Sequence, residues 1–169
     1  RNFPVLIEAY RALQAEFPGM QGVVAAVNQD VATALRERAD RDLGGWPKAL
    51  HVIVGDTEAA IRWCDLALVK SGTTTLQIAR QLKPMVIFYR PNRALYHGFI
   101  RWVVSTKFFT LPNFAGAAPI VQTARALLSD AAAAQRQREE LARVCELFRG
   151  RNAATAAADQ IARLAGVVA

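Results

Sequence analysis

Within LALVKSGTTTLQIARQLKPMVIFYR, the run Ser71-Gly72-Thr73-Thr74-Thr75 sets small hydroxyl residues around one glycine. Such residues make poor helix interior and poor core, so the chemistry open to them is hydrogen bonding at a turn. The preceding Leu66 to Val69 is a short apolar run suited to a buried strand. From Thr74 onward, Leu76, Ala79 and Leu82 keep a rough helical spacing until Pro84, and Met85 to Tyr89 reads as another buried strand. The Ser-Gly-Thr turn therefore lies where a strand's carboxyl end meets a helix's amino end. Unpaired N–H groups and the positive end of the helix dipole make that place a natural seat for phosphate. An ordinary N-cap satisfies the same donors without a ligand, and the turn alone leaves both readings open.

The neighbouring elements weigh on that choice. Phe3, Ile7, Tyr10, Leu13 and Phe17 form one helical face, ended by Pro18-Gly19. Gly22 to Val27 predicts a strand, Val31 to Ala39 a helix, and Leu43 to Pro47 a loop. His51 to Val54 predicts a strand, and Thr57 to Trp63 a short helix opened by Gly55-Asp56. This alternation, with continuous apolar strands, predicts an α/β fold: a parallel sheet covered by helices on both faces. Ligands on such sheets bind at the strands' carboxyl ends. The turns at Gly55-Asp56, Ser71-Gly72-Thr73 and Arg90-Pro91-Asn92 would gather there, which favours a ligand. Residues 1–130 are expected to form this domain. Residues 131–169 are expected to add two Ala-rich helices packed on it or on a partner domain: Ala131–Phe148, with Leu141, Val144, Cys145 and Phe148 on one face, and Ala153–Val168, with Ala157, Ile161, Leu164 and Val168 on one face.

Composition narrows the partners. The 169 residues are 53% hydrophobic, enough for one compact core and too apolar for a disordered chain. Cys64 and Cys145 lack metal-ligand spacing and fit a reduced, cytosolic protein. No apolar run reaches the length of a membrane span, which predicts a soluble chain or one peripheral to a membrane. From Leu66 to Ser129 there is no Asp or Glu against eight Lys and Arg, in a chain of net charge +7, so the remainder is nearly neutral. Such asymmetry suits an anionic partner. Inside that span Phe99 and Trp102 lie among Arg93, Arg101 and Lys107, with Phe108-Phe109 close behind. This mixture predicts contact with an anionic membrane or lipid; the competing reading is a core-packed helix. No nucleic-acid motif is present, so nucleic acid is disfavoured. His51 and His97 are each solitary and are assigned no catalytic role, and no metal cluster is expected.

Cys64 to Gln77, then Pro84-Met85-Val86-Ile87-Phe88-Tyr89-Arg90, then Leu111-Pro112-Asn113, resemble in order and spacing the lipid-A-disaccharide synthase family. The opening Asn2 to Ala9 and the phrase Val54-Gly55-Asp56 add to the likeness, which spans about residues 2 to 121. The resemblance implies the carboxyl-terminal, Rossmann-like half of a two-domain GT-B glycosyltransferase, the half that holds the UDP-sugar donor. The family moves diacylglucosamine from a UDP carrier to diacylglucosamine 1-phosphate, releasing UDP, without a metal or other cofactor, in the cytoplasm at the inner membrane. Carried over, Ser71, Gly72, Thr73 and Thr74 would face the diphosphate, Gln77 the ribose, Arg90 the phosphate charge, Asn113 the donor, and Gly55 the base.

Three departures stand against the likeness. Gln77 occupies the place of a ribose-gripping Glu; the family's Gly-Ser-Arg phosphate loop lies before the point where this sequence starts; and Pro119-Ile120-Val121-Gln122 shortens a Pro-Glu-x-x-Gln block. The acceptor domain is also missing, so the resemblance implies a partner domain or chain, and a homo-oligomer stays open. Two other classes remain: a non-catalytic nucleotide-sugar-binding module and a basic membrane-associated interaction domain.

Overall fold

The computed structural model describes residues 2–70, 72–88, 117–146, 148–150 and 153–166. Its elements run α1 (Phe3–Glu16), β1 (Gly22–Ala26), α2 (Gln29–Asp42), β2 (Leu50–Val54), α3 (Thr57–Trp63), β3 (Ala67–Lys70), α4 (Thr73–Arg80) and β4 (Met85–Phe88). Then follow α5 (Ala117–Ser129), α6 (Ala131–Glu146) and α7 (Ala153–Leu164). Both strand pairs are parallel: β1 with β2, from Gly22↔Leu50 to Ala26↔Val54, and β3 with β4, from Ala67↔Met85 to Lys70↔Phe88. The fold is α/β and Rossmann-like, as the alternating pattern predicts.

Side-chain alternation along β4 divides the core between two layers of helices. Val86 joins Ala9 and Leu13 of α1 and Ile120, Val121 and Ala124 of α5. Met85 and Ile87 turn to the other face, against Ile61 of α3, Ile78 and Ala79 of α4 and Leu141 of α6. Helices therefore cover both faces of this strand, and α6 is built into the same core. A third cluster sets Ile7 and Tyr10 of α1 against Leu50 at the start of β2. Gly22 is required beneath it. A Cβ there would run into the Tyr10 ring and come within 2.8 Å of Leu50 Cδ1.

Local chemistry fixes the connections. Asn28 caps α2, its Oδ1 accepting from Val31 N at 2.9 Å, and Asp56 caps α3, accepting from Ala59 N at 2.8 Å. The loop after α2 is pinned to α1 by Arg11, whose Nη1 and Nη2 donate to Leu43 O at 2.5 Å and Gly45 O at 2.6 Å. Tyr10 OH donates to Ala49 O at 2.8 Å.

Several expectations change. The helix after the hydroxyl run closes at Arg80, because Leu82 takes a left-handed conformation (φ 52°) and turns the chain before Pro84 arrives. Phe148 lies past the end of α6 and is exposed, so it does not share the buried face of Leu141 and Val144. Ala157, Ile161 and Leu164 of α7 are also exposed, Leu164 to 88%. The helix α5 was not foreseen, although Ala117, Ile120, Val121 and Ala124 carry a helical period and are all buried.

Candidate functional site

The carboxyl ends of β2 and β3 carry two of the three turns that the sequence singles out, at Gly55-Asp56 and at Gly72-Thr73, while Arg90-Pro91-Asn92 lies outside the described residues. Gly55 ends β2 in a left-handed conformation (φ 75°) that favours glycine, and its N–H donates to Ala26 O of β1 at 2.9 Å. An added Cβ would meet nothing within 4 Å, so the surface at Gly55 is open. Beside it, α2 and α3 begin with their side-chain caps. The third helix differs. Gly72 is the N-cap of α4 and brings no side chain to it. Thr75 folds back instead, its N and Oγ1 donating to Gly72 O at 3.1 and 2.5 Å. Thr73 and Thr74 keep their side chains for other partners at the positive end of the helix.

A cavity of about 930 Å³ reaches from this turn back between β1 and β3. Lys70, Gly72, Thr73 and Thr74 line its end at this turn, Gln21, Thr57 and Asp65 also line it, and most of the remaining lining is apolar. Lys70, the exposed last residue of β3, is a cation of the basic span that is not among the site residues expected from the sequence. Its position directly before the Ser-Gly-Thr turn was the available signal. Gln77 stands elsewhere, on a second cavity of about 320 Å³ shared with Glu58 and Arg80. Thr73 and Thr74 thus meet in one cavity with Gly72, and Gln77 does not join them there. Cys64 also lines the larger cavity; burial pushes its thiol above the usual range, with Lys83 acting weakly in the other direction. Among the described residues, no three His, Cys, Asp or Glu side chains gather as metal ligands.

Ser71, Arg90 and Asn113 lie outside the described residues, as do Arg93, Phe99, Arg101, Trp102 and Lys107. Among the described residues, no helix is long and apolar enough to cross a membrane.

The sequence has clear relatives. The family model of lipid-A-disaccharide synthetase matches residues 1–164. The lipid-A-disaccharide synthase of Cellvibrio japonicus (strain Ueda107) is 34% identical over 96 residues, 57% of this chain and 24% of that protein. That of Thiobacillus denitrificans (strain ATCC 25259 / T1) is 37% identical over 90 residues, 53% of this chain and 23% of that protein. A longer match, 28% over 138 residues, covers 82% of this chain and 35% of the enzyme of Pseudomonas entomophila (strain L48). The chain thus spans about a quarter to a third of the curated relatives it matches. With that match running over nearly its whole length, the chain belongs to the lipid-A-disaccharide synthetase family.

Proposed function

We propose that this chain is the donor-binding half of a GT-B glycosyltransferase of lipid A biosynthesis, and that the Gly72 end of the larger cavity seats the diphosphate of a UDP-sugar. The observation that carries the reading is the amino end of α4, where Gly72 leaves the first turn without a side-chain cap beside Thr73, Thr74 and Lys70. Backbone N–H donors and helix dipole there complement a diphosphate, and Lys70 adds a point charge. When the glycosidic bond breaks, negative charge grows on the departing UDP, and fixed donors already in place stabilise it without reorganising. Within this reading the nucleoside extends along α4 from the larger cavity toward the smaller one that Gln77 lines, so that Gln77 meets the ribose, Gly55 leaves room for the base, and Arg90 and Asn113 complete the donor contacts. The sugar would be diacylglucosamine, passed to diacylglucosamine 1-phosphate. The acceptor and the base that activates it would stand on a second domain, since transfer requires both reactants held at attack distance.

Gly72→Asp tests the seat. The residue is extended (φ 166°), and a Cβ would approach nothing nearer than Lys70 O at 3.9 Å, so Asp fits without strain. An Asp at an N-cap is at least as good as Gly, so stability should hold within about 0.5 kcal/mol. Its carboxylate, however, takes the donors that a phosphate would use. Calorimetry should show UDP binding to the parent chain and at least tenfold weaker binding to the folded variant. Unchanged affinity would place the nucleotide elsewhere.

A further inference from the structure

Glu58 puts a carboxylate on the smaller cavity, which α3 and α4 wall between them with Glu58, Ile61, Gln77, Arg80 and Gln81. Ile61 also lines the larger cavity, so the two adjoin across that side chain. On both helices the chain steps from one cavity to the other. Thr57 lines the larger and Glu58 the smaller; on α4, Thr74 lines the larger and Gln77 the smaller. Thr74 and Gln77 are three residues apart, a rise of about 4.5 Å along the helix. A ligand with phosphates at Thr73 and Thr74 therefore reaches the smaller cavity within one helical turn.

The lining selects a class of ligand. Carboxylate and guanidinium offset each other there, which leaves no net charge to draw an ion, and two amides supply both donors and acceptors. Ile61, 5% exposed, adds apolar surface. Such a mixture fits a ring that carries hydroxyls on its edge. Glu58 has little else to do. It stands in the first turn of α3, but Asp56 supplies the cap. Its Oε1 accepts from Arg62 Nη1 at 2.8 Å, and both side chains are exposed, so the pair adds little to folding.

We propose that Glu58 accepts hydrogen bonds from the ribose hydroxyls of the nucleotide and so makes the chain prefer ribonucleotides to deoxyribonucleotides. A carboxylate only accepts, which matches the two O–H donors of a vicinal diol, and hydrogen bonds to it are roughly twice as strong as those to a neutral amide. The charge that Gln77 does not bring on α4 is thus supplied from α3, across the same cavity. A site that bonds a hydroxyl discriminates against the analogue that lacks it. The inference rests on the diphosphate seat at Gly72 and adds to it the residue that reads the sugar.

Calorimetry with UDP and 2′-deoxy-UDP tests it on the parent chain, on Glu58→Gln, and on the double variant Glu58→Gln, Gln77→Glu. The parent should bind UDP at least tenfold more tightly than 2′-deoxy-UDP. Glu58→Gln should cut that preference about fivefold by weakening UDP, with the affinity for 2′-deoxy-UDP unchanged within about twofold. A general loss of fold or of phosphate binding would weaken both nucleotides alike. The double variant returns a carboxylate to the cavity from α4, and the preference should return with it. The proposal is overturned by a parent without preference, by a preference that survives Glu58→Gln, by equal weakening of both nucleotides, or by a double variant that restores nothing. In each of these cases UDP still binds and the diphosphate seat stands. A parent chain that binds neither nucleotide would overturn both readings.

Discussion

Asp56 and Gly72 open neighbouring helices with different equipment: a carboxylate satisfies Ala59 N in one, and no side chain caps the other. A single atom group thus separates a closed helix end from one able to take an anion. Gln77 sits one turn along α4, with Arg80 three residues further on the same small cavity. Its amide can hydrogen-bond a diol but brings no charge to strengthen the bond. Gln77→Glu is expected to tighten UDP by about 1 kcal/mol, roughly fivefold, in calorimetric titration. No gain, or a loss, would mean that residue 77 does not meet the ribose. The Gly72 turn was legible in the sequence because strand and helix periods change across it. The separation of Thr73 and Thr74 from Gln77 was not, because spacing fixes a helix face and leaves open which neighbours wall it.

Between elements, α1 and α5 are joined by one two-pronged ion pair in addition to their shared core. Arg125 Nε and Nη2 donate to the two carboxylate oxygens of Glu16, each at 2.5 Å. The Arg125 fork holds Glu16 below the usual carboxylate range, chiefly through these hydrogen bonds. A carboxylate with a lowered folded pKa adds stability that is complete above its ordinary value near ~4.3 and is lost as pH falls through the folded value. Both side chains are exposed, so the effect is small. Arg125→Ala should lower the melting temperature by about 1–3 °C at pH 7, and the deficit should fade as Glu16 is protonated below the ordinary carboxylate range and shrink in high salt. Melting curves showing the same deficit at every pH would locate the loss in packing instead. The strands were readable as elements because each is a short apolar run between turn residues. α5 is less legible because Pro119 reads as a helix breaker, whereas it sits in the first turn, where a proline costs no hydrogen bond, ahead of the buried Ile120, Val121 and Ala124.

At the scale of the molecule, part of the acid-free span is already engaged. Arg125 is paired with Glu16, and Lys83 Nζ donates to Arg62 O at 2.8 Å, whereas Lys70 and Arg80 remain exposed. The basic and aromatic residues Arg93, Phe99, Arg101, Trp102 and Lys107 follow in the same span. Each cation near an anionic surface adds roughly 1 kcal/mol of attraction. The chain is therefore expected to co-sediment with anionic vesicles, to leave neutral ones in the supernatant, and to be released by high salt. Equal recovery under all three conditions would return these residues to a packed helix.

The seat of α6 on β4 limits what the chain can become in company. An apolar outer strand with free backbone groups templates its own copies and, by repetition, fibrils. Met85-Val86-Ile87 has that composition, but Met85 N and O are occupied by the side-chain amide of Gln137 on α6, and Leu141 of the same helix packs against this strand. Any recruit would first have to prise α6 from the sheet. Self-propagating assembly from β4 is therefore held in check for as long as that one helix stays docked.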